Sequence, residues 1–200
     1  MTTIEGLTEA AGVGGDDEVE RFPGDPDMWL FVVVESLVFT SYFCVYLSSR
    51  TQHEQAFLEA QSALTTSLGI LDTVVLLTSS WAIARCVQHT RAARFDAARR
   101  SAFTTVGLGA VFFALKIAEW VHLIRGGHTF TSSDFMQHFF FLTSIHAIHL
   151  IIGFVALGVL LHQLSDPLRR STQTIETCST YWHTVDLFWV VIFALLYIVR

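Results

Sequence analysis

The chain has 200 residues, 52% of them apolar and only 15% charged, with 17 phenylalanines, five tryptophans and a single lysine, Lys116. A soluble domain carries roughly 25% charged residues, so this composition excludes an ordinary water-soluble globule and makes the bilayer the solvent. The formal net charge of −6 sits mostly at one end, and no basic stripe is large enough to neutralise a phosphate backbone, which excludes nucleic-acid binding.

Residues 1–27 hold eight acids (Glu5, Glu9, Asp16, Asp17, Glu18, Glu20, Asp25, Asp27) against one base, Arg21; the rest is close to neutral. The stretch AGVGGDDEVE is Gly-rich and acidic, so residues 1–21 are expected to form a disordered tail. It lacks the basic start and apolar core of a signal peptide, and no cleavage is expected there.

Residues 22–200 read as one membrane domain. A spanning helix needs about 20 mainly apolar residues, and five segments qualify: 28–47, 62–84, 102–123, 135–162 and 181–199. Pro23 and Pro26 precede the first span, where they break nothing, and Asp166-Pro167 suits the loop after the fourth. The connections are too short for an inserted soluble domain. The expected fold is all-α, a compact bundle of five transmembrane helices. Loop basic residues orient it: Arg21, Arg85, Arg91, Arg94, Arg99, Arg100, Arg169 and Arg170 fall on one side, Arg50, Arg125 and Arg200 on the other. This places the N-terminus in the cytoplasm and the C-terminus outside.

Cys44, Cys86 and Cys178 occur singly, with no CxxC pair, and read as inert packing residues. Trp29, Trp81, Trp120, Tyr181 and Trp182 fall near expected span ends, as interfacial belts do, whereas Trp189 lies deeper. Gly153 and Gly158 in the fourth span permit close helix approach without forming GxxxG. The run Phe139–Phe141 reads as lipid-facing or core filler.

The informative residues are the polar ones inside the spans: Glu35 in the first, Asp72 in the second, Lys116, Glu119 and His122 in the third, His138, His146 and His149 in the fourth, and His183 and Asp186 in the fifth. An ionised group near the bilayer centre costs about 2.5–3.5 kcal/mol on insertion scales, so these should face the bundle interior, pair, or meet lipid headgroups in a cleft. At 1.5 Å per residue, Glu35, His183, Asp186 and His149 are expected to form one cluster toward the inner side. Lys116 and Glu119, three apart on one face, are expected to pair toward the outer side, with Asp72 as a neighbour. Three readings stand open for this polar set: a structural and lipid-anchoring role with histidines as hydrogen-bond hubs, a proton relay through Glu35, and a metal or haem site using His146, His149, His183 and Glu119.

Taken in order, PGDPDMWLFVVVESLVF (23–39), LTSSW (77–81), LKIAEWVH (115–122), FFFLTSIHAIHLIIG (139–153) and YWHTVDLFWVVIFALLYIVR (181–200) resemble subunit III of the haem-copper cytochrome c oxidases, in its short five-helix form. NorE-like accessory proteins of nitric-oxide reduction are similar too. The resemblance implies a non-catalytic membrane subunit of a terminal oxidase in aerobic respiratory electron transport, with no cofactor of its own. Its implied partners are the catalytic subunit I, with subunit II, of a haem-copper oxidase or nitric-oxide reductase, and phospholipids held in a cleft that keeps proton uptake steady. The implied setting is the bacterial cell membrane. Residue by residue, the family's intramembrane glutamate falls on Glu35, its E-x-x-H on Glu119 and His122, its paired histidines on His146 and His149, and its WHxxD on Trp182, His183 and Asp186. The acidic tail and Asp72 depart from the pattern. A reading from another class is a stand-alone proton transporter or haem protein built on Glu35 and the histidines.

Overall fold

The computed structural model describes residues 26–166 and 170–199; the acidic tail, Arg21, Pro23, Pro167, Arg169 and Arg200 lie outside them. Six α-helices follow in order: α1 (Pro26–Gln52), α2 (Glu54–Gln61), α3 (Thr66–Arg91), α4 (Phe95–Arg125), α5 (Asp134–Ser165) and α6 (Thr172–Phe193), with α6 running into a π-helical turn over Ala194–Ile198. Five of these, all but α2, are long and apolar enough to cross a membrane. The chain is a multi-pass membrane protein with an all-helical fold.

Local chemistry sets several boundaries. Ser133 and Ser171 open α5 and α6 with extended backbone, and each hydroxyl accepts from the backbone N–H three residues on, Met136 and Thr174, satisfying one of the orphan donors of a helix start. The tight α3–α4 turn puts Ala93 at φ 54°. The spans α3 and α4 run on to Arg91 and from Phe95, past the expected 84 and 102, and two further departures bear on the packing. The amphipathic α2, with Phe57 and Gln61 turned inward, lies between the first two spans where a loop was expected. And α6 begins nine residues earlier than expected, at Thr172, because TQTIETCST is polar in composition yet buries Ile175, Cys178 and Ser179 against the bundle.

α3, α4, α5 and α6 form the bundle proper, α3 lying most extensively along α4 and α6 packing on α5 and α3. Trp182 is its centre. With the true start of α6 in place, this residue is ten positions into the helix and fully buried, not at an interface. Its ring lies so close to Gly109 of α4 and Gly153 of α5 that a Cβ on either would approach it to 2.8 and 3.0 Å. Its Nε1 donates to Ser79 Oγ of α3 at 3.1 Å. One turn pair further along, Trp189 repeats the contact and donates to Thr73 Oγ1 at 3.1 Å. Gly158, by contrast, has nothing near it. The phenylalanine run divides: Phe139 and Phe140 are buried, while Phe141 is exposed and stacks on Tyr42.

α1 stands apart. Leu30, Val33, Val34, Leu37 and Val38 are exposed, and the helix meets the bundle mainly along one stripe, Phe31, Glu35, Phe39, Tyr42, Tyr46 and Arg50, spaced four, four, three, four and four residues apart, as one helical face requires.

The packing around Trp182 yields a graded expectation for unfolding temperature in detergent. Trp182→Ala should cost about 3–5 kcal/mol and Gly109→Ala about 1–3 kcal/mol through overpacking. Gly158→Ala should change stability by no more than about 1 kcal/mol.

Candidate functional site

The polar residues of the spans fall into three groups. The first joins α1 to α5 and α6. Glu35 Oε2 lies 3.2 Å from His149 Nε2, and the other ring nitrogen, Nδ1, lies 2.9 Å from the Ile145 carbonyl. That second contact fixes the ring's orientation: Nδ1 carries hydrogen toward the carbonyl, leaving Nε2 to face the carboxyl. Phe39 stacks on Phe188 at 4.2 Å and meets His149 edge-on, while Tyr42 Oη lies 2.9 Å from His138 Nδ1. Between α1 and α5 the pair opens onto a cavity of about 320 Å³, walled by Val38, Val45, Phe141 and Ile145. The carboxyl and the imidazole thus sit at the edge of an otherwise apolar groove.

The second group lies between α6 and α3. His183 Nδ1 is 2.6 Å from Ser80 Oγ. Asp186 is buried beside Ser80, with neither carboxyl oxygen in a well-formed hydrogen bond. The earlier start of α6 moves both residues inward. His183 is about 17 Å and Asp186 about 21 Å along the helix, not within 8 Å of its start. The expected single inner cluster therefore divides: Glu35 and His149 meet, whereas His183 and Asp186 turn toward α3. His146, one turn from His149, faces elsewhere again, with its ring against Phe112 and Trp189 and both nitrogens unpartnered. The histidines and Glu119 weighed as a metal or haem set do not converge on one point.

The third group matches the sequence expectation and extends it. Lys116 Nζ donates to Glu119 Oε2 at 2.6 Å and Asp72 Oδ2 at 2.9 Å, and lies 4.3 Å from the centre of the Trp189 ring, a cation–π distance. Tyr197, in the terminal π turn, donates to Glu119 at 2.8 Å from Oε1 and 2.9 Å from Oε2. Asp72, Lys116 and Glu119 are 1%, 2% and 5% exposed, so burial is acceptable only because they pair. His122 is not part of this group: it is exposed near the end of α4.

Several contacting residues escaped the sequence reading. Ser79 and Ser80 hold Trp182 and His183, and their signal was two adjacent hydroxyls in an apolar span. At the end of the bundle where α1 finishes, Tyr46 Oη donates to the Leu195 carbonyl, Arg50 Nη1 to Val199 and Gln61 Nε2 to Leu196 and Val199. Carbonyls in the last turn of a helix have no intrahelical N–H to accept from, and these three side chains take them up.

The cytochrome c oxidase subunit III family model matches residues 25–200, nearly the whole chain. The chain belongs to the cytochrome c oxidase subunit III family. Among its relatives, cytochrome c oxidase subunit 3 of Bacillus sp. strain PS3 is 29% identical over 194 residues, covering 90% of this chain and 93% of that protein. Cytochrome bo(3) ubiquinol oxidase subunit 3 of Pseudomonas aeruginosa is 27% identical over 203 residues, covering 96% and 94%. Heme-copper oxidase subunit I+III of Aeropyrum pernix is 25% identical over 194 residues, covering 90% of this chain and 24% of that much longer one. The protein is thus a non-catalytic subunit III of a haem-copper oxidase, and membership of that family implies association with the catalytic subunit I. Each of its three polar groups joins subunit III helices that an apolar pattern alone would leave free to rotate.

Removing the ammonium of the third group leaves two buried carboxyls facing each other. Lys116→Met should therefore cost about 3–5 kcal/mol, read as loss of the monodisperse folded fraction in size-exclusion chromatography, while His122→Gln should leave that fraction unchanged.

Proposed function

We propose that this subunit steadies the catalytic subunit I and its proton uptake by holding phospholipid in the groove between α1 and α5, with the Glu35–His149 pair at its polar edge. One observation carries the reading: a carboxyl about 14 Å along an apolar helix is met by an imidazole 3.2 Å away beside a cavity walled by aliphatic and aromatic side chains. An acyl chain would lie against Val38, Val45 and Ile145, and its headgroup or glycerol hydroxyls would meet the pair. The subunit brings no redox centre of its own on this reading; electrons stay in subunit I, and the role here is to shape the protein–lipid boundary beside it.

The partner is an oxidase on this proposal. The relatives above carry the names of cytochrome c and ubiquinol oxidase subunits, which favours that partner over a nitric-oxide reductase, and one relative carries subunits I and III in a single chain, an arrangement that suits lasting contact between the two. The sidedness proposed is an inner amino end in the bacterial cell membrane. Arg85, Arg91, Arg94, Arg99, Arg100 and Arg170 cluster at that end of the bundle, against Arg50 and Arg125 at the other, as the positive-inside rule requires.

Glu35→Ala in the assembled oxidase should shorten the active lifetime under turnover several-fold and lower the co-purifying phospholipid, with the initial rate near that of the parent enzyme. An unchanged lifetime together with unchanged lipid content overturns the proposal.

A further inference from the structure

The outer-side cluster of Asp72, Lys116, Glu119 and Tyr197 is not absorbed by the groove or by contact with subunit I, and its charges do not balance as drawn. Two carboxyls face one ammonium. The ammonium has three partners, Glu119 Oε2 at 2.6 Å, Asp72 Oδ2 at 2.9 Å and Tyr197 Oη at 3.3 Å, which uses every N–H it has. Glu119 accepts from Lys116 and, through both oxygens, from Tyr197; that is the environment of an ionised carboxylate. Asp72 receives Lys116 on Oδ2 alone. Its Oδ1 is buried with no partner, on a residue that is 1% exposed.

The two carboxyls thus differ in kind. An ionised Asp72 would leave a net negative charge and an unmatched oxygen inside the bundle, the costliest form of an unsatisfied polar atom. A neutral Asp72 removes the net charge and leaves at most a hydroxyl without an acceptor, a smaller loss. Like-charged carboxyls sharing one site divide their ionisation in this way. A further titratable group beside the cluster is His146 of α5, whose ring lies 5.3 Å from that of Trp189. It lies within a fully buried setting and adds no negative charge.

We infer that this cluster is a proton-binding site: Lys116 and Glu119 form the ion pair, and Asp72 holds an additional proton at Oδ1, so the four side chains together are neutral. Tyr197 also lines a cavity of about 250 Å³ with Leu58, Gln61, Ser62, Leu64 and Thr66, at the end of the bundle where α2 lies. The inference is independent of the role proposed for Glu35.

The test uses the assembled oxidase carrying an isotope label at the aspartate carboxyl carbons, examined by infrared spectroscopy at neutral pH. The expected result is a label-sensitive carbonyl band of a protonated carboxylic acid that is present in the parent protein, remains in Asp186→Asn and disappears in Asp72→Asn. Because the amide mimics a neutral carboxyl, Asp72→Asn should assemble within about twofold of the parent yield, unlike Lys116→Met. Absence of an Asp72-dependent band overturns the proposal. So does failure of Asp72→Asn to assemble, since that would show that the charge itself is needed.

Discussion

Apolar helices gain little by leaving lipid for one another, so a membrane bundle is held by close approach and by the few polar contacts it contains. Here both converge on Trp182. Its indole fits where Gly109 and Gly153 carry no side chain, and its N–H reaches Ser79, so a single residue sets the spacing of α4 and α5 and the rotation of α6 against α3. Other positions follow from that rotation. Residues 182, 186 and 189 share one helical face; once Trp182 and Trp189 reach Ser79 and Thr73, Asp186 is carried into the same contact. Its burial without a well-formed hydrogen bond is a consequence of where the tryptophans must go.

The polar groups serve two different surroundings. Glu35 and His149 are part-buried and open to a groove on the loosely packed α1 side. Asp72, Lys116 and Glu119 are sealed inside the four-helix unit. An exposed edge can meet lipid or another subunit, while a sealed cluster must satisfy itself, and the geometry of the third group reflects that: nearly every donor and acceptor in it has a partner from within.

Spans and their count were legible because uninterrupted apolar length is a strong signal. The Lys116–Glu119 pair was legible too, since spacing and depth together suffice when two residues share a helix, and depth alone brought Asp72 to them. Rotation about the helix axis was not legible. A helix that is apolar on most of its circumference carries little record of which side faces its neighbours, so His146 and His149, one turn apart, could not be assigned to different partners. The displaced position of His183 and Asp186 has a simpler source. Residues 172–180 look like a loop by composition, yet they are helical because Ser171 caps them and Ile175 and Cys178 find cover. Gly153 was read as permitting close approach; Gly109, which does the same from α4, gave no comparable sign among the small residues of GLGA.

The stripe on α1 ends at Arg50, whose guanidinium holds the Val199 carbonyl, as Tyr46 and Gln61 hold Leu195 and Leu196. The first of the described spans, α1, is therefore latched to the end of α6, the fifth of them. During synthesis α1 and α2 must wait, already inserted, until four later helices have been delivered, and the order in which the subunit matures is set by that closing step.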